Sequence, residues 1–91
     1  MSETKRAETL KQAMALCDDG GDRAVQYGPP SENFWRCATL WSAYHGSEFT
    51  AKDVAVMMLL LKVSRMAAPD GGTDDTFVDA AAYAAIANEV K

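Results

Sequence analysis

Asp75, Asp79 and Tyr83 recur every four residues. At about 100° per residue this places them within roughly 80° of one helix face. Two carboxylates one turn apart in a single stripe repel each other unless a cation sits between them. One candidate is Mg²⁺, held by Asp75 and Asp79 through their oxygens. The other is a basic side chain. Lys62 and Arg65 end an apolar run at i, i+3, and the short stretch to the next helix makes them neighbours of Asp79 across an antiparallel helix pair. They could neutralise Asp79, clamp a phosphate, or snorkel at a helix C-terminus where cations are favoured. Arg23 and Tyr27, just before Gly28-Pro29-Pro30, offer a guanidinium and a stacking ring of the kind a nucleotide needs. The bland alternatives are a loop whose tyrosine covers the end of the fold, and a solvated acidic face whose Asp75 complements the helix dipole.

Other reactive residues carry less. His45 stands alone beside Gly46, where it complements the dipole at a helix end. Ser31, Ser42 and Ser64 have no evident base and orienting group, so no nucleophilic triad is expected. Cys17 and Cys37 fall at apolar positions of helical patterns and are expected to be free thiols, and no Cys/His set has metal-ligand spacing.

The elements that must position these groups are helices. Leu10, Ala13, Met14 and Cys17 form an i, i+3, i+4, i+7 stripe over about residues 3–19, ending at Gly20-Gly21. A second helix runs over about 30–44, with Ser31 as N-cap or Pro30 in its first turn. Its apolar face is Phe34, Cys37, Ala38, Trp41 and Tyr44, and Gly46 follows its end. Trp35 lies off that face, set to meet the preceding loop, the first helix or a partner. A third spans about 50–67 and opens with Thr50 and Asp53 in a capping-box spacing. Every residue from Val54 to Leu61 is apolar, so this helix is either sandwiched centrally or pairs one face with another subunit. The fourth, capped at Thr73 or Asp74, is rich in alanine and allows close helix approach. No strand alternation or repeat is present. The expected fold is all-α, a compact four-helix bundle-like single domain over residues 1–91, oligomeric through helix 50–67.

Composition excludes some roles. A net charge of −4 argues against non-specific nucleic-acid binding, which needs a basic face to release counterions. The polar N-terminus has no export signal, and the longest apolar run is too short to span a bilayer, so the expected place is the cytoplasm with no membrane partner.

The stretches GDRAVQYGPPSENFWRCATLWSAY, FTAKDVAVMMLLLKVSRM and DDTFVDAAAYAAIA resemble a family of small, uncharacterised helical proteins encoded by bacteriophages and prophages. The shared pattern is G-D-R-x-x-x-Y-G-x-P-x-x-N-F, a helix ending K-x-x-R, and a last helix with D-x-x-x-D-x-x-x-Y. The likeness covers about residues 20–87, with Asp22, Arg23, Tyr27, Gly28, Asn33, Phe34, Lys62, Arg65, Asp75, Asp79 and Tyr83 at the matching positions. That family is in turn distantly similar to MazG-like all-α nucleoside triphosphate pyrophosphohydrolases, helical oligomers that hold Mg²⁺ with two carboxylate pairs. This chain lacks an E-x-x-E, and Asp75/Asp79 is its one candidate pair.

The resemblance therefore implies a protein of the host bacterial cytoplasm with a nucleotide-sized site formed by Arg23, Tyr27, Lys62, Arg65, Asp79 and Tyr83. As a binder it would hold or sequester a nucleotide, a host immune signal or a metabolite. As a Mg²⁺-dependent pyrophosphohydrolase it would activate water on an α-phosphate. As an interaction protein it would dock on a host defence or replication protein, with Trp35 in the contact.

Overall fold

Threonine side chains open three of the four helices seen in the computed structural model, which describes residues 3–18 and 28–91. The Thr4 hydroxyl accepts from the Ala7 N–H at 3.2 Å and opens α1, Lys5–Cys17. Helix α2, Pro30–His45, starts without a side-chain cap: Pro29 holds the cap position and Pro30 the first turn, where a missing N–H leaves no bond unmade. It stops at Gly46, whose φ of 81° is open to glycine and costly for other residues. At the start of α3, Ala51–Met66, the capping box forms fully: Thr50 accepts from the Asp53 N–H at 3.1 Å, and the Thr50 N–H donates to the Asp53 carboxylate at 2.9 Å. Helix α4, Asp74–Val90, is capped by Thr73, with Thr76 taking the reciprocal position usually held by Glu.

Helix α4 packs against each of the other three. Its alanines permit this, because a methyl side chain lets a neighbouring backbone come close. Val78 and Ala82 bury against Ala13 of α1, while Ala87 joins Phe34 and Ala38 of α2 and Val54 and Ala55 of α3. Helix α3 is antiparallel to α4, with Lys62 beside Asp79 and Ala55 in one cluster with Ala87. Helices α1 and α2 both run parallel to α4: α1 lies along its first half, and α2 follows, meeting α4 at Tyr83 and Ala87 while packing more extensively on α3. Lys5 reaches Asp74 at 2.7 Å and the Cys17 thiol faces the Ala82 carbonyl at 3.9 Å; the Phe34 ring then lies 6.2 Å from that of Tyr83.

The described residues thus form four helices with no strand, as the periodicities predict, in a more open arrangement than the expected compact bundle. Laying about 20 Å of α1 and about 24 Å of α2 in succession matches the longest dimension, 51 Å, and the 20 Å thickness is that of two helix layers. The radius of gyration, 14.3 Å, exceeds the roughly 12 Å of a close-packed chain of this length. Among the described residues no large side chain is fully enclosed. Of the two alternatives for α3, central burial does not occur: α4 is the hub, and α3 keeps Met57, Leu60, Leu61 and Val63 exposed. No described helix is long and apolar enough to cross a membrane.

Because helix α3 has few long side chains enclosed, its start depends on the cap. Thr50→Ala should cost about 1 kcal/mol and lower the thermal midpoint by roughly 4–8 °C, read by circular dichroism. An unchanged midpoint would mean that packing alone holds the first turn.

Candidate functional site

The succession of α1 and α2 along α4 leaves a cavity of about 470 Å³ where the end of the first meets the start of the second. Leu16 and Cys17 bound it from α1, Gly28, Asn33 and Phe34 from the start of α2, and Asp79, Tyr83 and Ile86 from α4. Period decides the α4 contribution: 79, 83 and 86 follow at i, i+4, i+7, so one stripe of the helix forms a continuous wall. Phe34, Ile86 and Leu16 make the surface largely apolar. A carboxylate, an amide and a phenol from Asp79, Asn33 and Tyr83 supply most of its polarity.

Behind Asp79 stands Lys62. Its ammonium lies 3.1 Å from a carboxylate oxygen of Asp79, and their side chains are 11% and 16% exposed. Of the three roles open to Lys62 in the sequence, the structure therefore shows neutralisation of Asp79 across an antiparallel helix pair. Such a pair gains from the low local dielectric and loses comparably from desolvation. Lys62 is not among the residues lining the cavity, so the carboxylate that reaches the cavity has its charge balanced by a group outside the lining.

The other residues singled out in the sequence fall differently. Tyr83 lines the cavity with its ring tilted against Phe34. Asp75 is exposed and shares with Asp79, Gln12, Leu16 and Val78 a shallower depression between α1 and α4. Arg65 is exposed one turn beyond Lys62 and is not among the residues lining the cavity. Arg23 and Tyr27 lie outside the described residues. Among the described residues no three His, Cys, Asp or Glu side chains come together in a group able to hold a metal ion. Asp75 and Asp79 supply two carboxylates, with the Lys62 ammonium already on one of them.

Two lining residues were not legible as site residues. Cys17 reads as an apolar helix position, and it packs against the buried Ala13, Val78 and Ala82 while also reaching the cavity. Burial, and secondarily the charge of Glu89, push its thiol above the ordinary value; burial does the same to Cys37 on the α2 side of the core. Both thiols are free, and raised values make them slow nucleophiles at neutral pH. Asn33 is signalled in the sequence only through the resemblance, which implies an N-F step there, since an asparagine in a first helical turn is otherwise unremarkable.

Comparison with known proteins gives the chain its relatives. A family model described as a domain of unknown function, DUF6378, matches residues 8–91. The Gene 55 protein of Mycobacterium phage L5 is 50% identical over 72 residues, covering 78% of this chain and 46% of that protein. The Gene 55 protein of Mycobacterium phage D29 is 40% identical over 75 residues, covering 82% and 48%. The chain spans about half the length of the curated relatives it matches. No solved structure matches it.

The ion pair behind the cavity is open to direct measurement. Asp79→Leu strands the Lys62 ammonium, whose residue is 8% exposed, and should cost about 3 kcal/mol in urea unfolding. Adding Lys62→Met should recover much of that loss, because an apolar pair of similar volume needs no desolvation. Costs that simply add in the double variant would show that the two side chains are not coupled.

Proposed function

The chain belongs to the DUF6378 family, and from that premise we propose that its cavity binds the base end of a nucleotide. The observation that carries this reading is the lining itself: Asp79, Asn33 and Tyr83 around an apolar wall containing Phe34, in a space of about 470 Å³. Small-molecule sites are mostly apolar concavities of roughly 300–1,000 Å³ with a few placed polar groups. A carboxylate accepts from the ring N–H and amino groups of a base, an asparagine amide both donates and accepts, and the rings of Phe34 and Tyr83 offer stacking faces.

A carboxylate repels phosphate, so the phosphate end would face away from Asp79. Arg23 and Tyr27, which in sequence precede the lining residue Gly28, are assigned to that end. Arg65 is left out of the site. In the setting of the phage relatives, such a protein would retain or sequester a host nucleotide, as a metabolite or an immune signal.

The reading stops at binding. Hydrolysis of the MazG-like kind uses carboxylates from two helices to hold Mg²⁺ and orient water. Here the α4 pair is engaged at Asp79 by Lys62. A second reading, docking on a host protein, is favoured by Trp35, which is 65% exposed beside Ser31, Glu32 and Arg36; large exposed aromatics are enriched at interface centres.

Mass spectrometry after incubation with a pool of ordinary, deoxy and cyclic nucleotides, with and without Mg²⁺, tests the proposal. The expected result is one nucleotide retained unaltered, with alkylation of Cys17 slowed by that nucleotide and alkylation of Cys37 unchanged. Tyr83→Leu should then lose about 1–3 kcal/mol of affinity, the worth of one stacked base. Pyrophosphate released only with Mg²⁺ would replace binding by hydrolysis. A pool neither bound nor altered would end the nucleotide reading and leave the Trp35 surface as the functional one.

A further inference from the structure

The polar groups of the cavity discriminate among bases. Asp79 is the one charged side chain among the described residues that line it. A carboxylate with an ammonium 3.1 Å away accepts hydrogen bonds and donates none. It has about four lone-pair sites, so accepting from Lys62 and from a ligand together is within its capacity. Whatever edge meets Asp79 must therefore offer N–H groups and turn no acceptor towards it.

Two kinds of ligand offer such an edge, an organic cation and a neutral group with adjacent donors. Lys62 decides between them. Its ammonium already balances the carboxylate, and both side chains are largely withdrawn from water. A further cation would set two positive charges around one negative at low local dielectric, where an unbalanced charge is costly. A neutral donor edge adds hydrogen bonds to the carboxylate without that imbalance.

The common bases differ in that edge. Guanine presents its ring N1–H and its N2 amino group side by side, two donors for one acceptor-only group. Adenine and cytosine each place a ring-nitrogen acceptor beside the amino group, and uracil and thymine flank one N–H with two carbonyls. Turned to Asp79, each of these would set a lone pair against the carboxylate. The rest of the polar lining suits guanine as well: its O6 and N7 accept, and the Asn33 amide and the Tyr83 hydroxyl can donate.

We propose that the cavity is a guanine site, in which Asp79 accepts from N1–H and the N2 amino group while Lys62 balances its charge and so disfavours cationic ligands. This rests on the nucleotide reading and adds which base is bound.

Equilibrium dialysis of the whole chain is the test, against guanosine, inosine, xanthosine, adenosine, cytidine and uridine, each as the 5′-monophosphate, 5′-triphosphate and 3′,5′-cyclic phosphate. In whichever phosphate form binds, guanosine should bind tightest. Inosine, which lacks only the N2 amino group, should bind about ten- to a hundredfold more weakly, the worth of one hydrogen bond to a charged group. Asp79→Asn combined with Lys62→Met, which strands no ammonium, should lose guanosine and gain xanthosine. An amide answers the N1–H and C2 carbonyl of xanthine with an oxygen and an N–H. Circular dichroism reads whether this double variant is folded; if it is not, the guanosine-to-inosine ratio of the wild-type chain decides alone. Equal binding of guanosine and inosine, tighter binding of an adenine or pyrimidine nucleotide, or a folded double variant that still prefers guanosine overturns the guanine assignment and leaves base binding standing. No binding by any member of the panel overturns both.

Discussion

Ala80, Ala82 and Ala87 on α4 set how near the other helices can come, and most of the architecture follows from that closeness. A helix with larger residues on both buried faces would hold its neighbours further out. With methyl groups there, α1 approaches along Val78 and Ala82, and α2 and α3 meet at Ala87. Small core residues also bury little area each, so the fold draws on caps and on the placement of a few larger groups such as Phe34 and Val54. Transfer free energy scales with apolar area removed from water, and a core made largely of alanine and valine leaves a small chain with modest reserve.

Asp79 lies where these constraints meet the chemistry. It falls between the face of α4 that packs on α3 and the face that packs on α1, so its carboxylate reaches both Lys62 and the cavity. The lysine is an unusual choice at an inward position of α3, beside the buried Val54 and Ala55. Its position is explained by the partner: a nearly buried ammonium is tolerated when a carboxylate is within 3.1 Å and is costly otherwise. An ion pair of this kind adds little to net stability, yet it specifies orientation, because only one register of α3 on α4 brings the two charges together. The same register fixes which side chains of α4 face the cavity.

The consequence of laying α1 and α2 in succession is twofold. It opens a cavity at their junction over α4, and among the described residues it leaves the far side of α3 without a neighbour. Met57, Leu60, Leu61 and Val63 make that side of α3 apolar. The family relatives, about twice as long as the matched region, show that this helical unit occurs within larger chains.

Sequence alone determined the four helices and most of their ends; the exception is α1, expected over about 3–19, which runs from Lys5 to Cys17 between Thr4 and Asp18, while the expected stop at Gly20-Gly21 lies outside the described residues. Thr50 with Asp53, Thr73, Pro30 and Gly46 are local signals, each satisfied by backbone groups within a few residues, so no knowledge of the rest of the chain is needed to place them. The stripe of Asp79 and Tyr83 was legible for the same reason, being a property of one helix. Whether Lys62 would snorkel or turn inward was not, since both directions suit a helix and the choice belongs to the carboxylate on α4. Nor could periodicity show that Asn33 and Cys17 line one cavity, or that alanine-rich α4 rather than apolar α3 is the hub. Those outcomes depend on which helices lie side by side. That is decided by the closeness alanine allows and by the nearly buried Lys62–Asp79 pair, both acting between residues far apart in the chain.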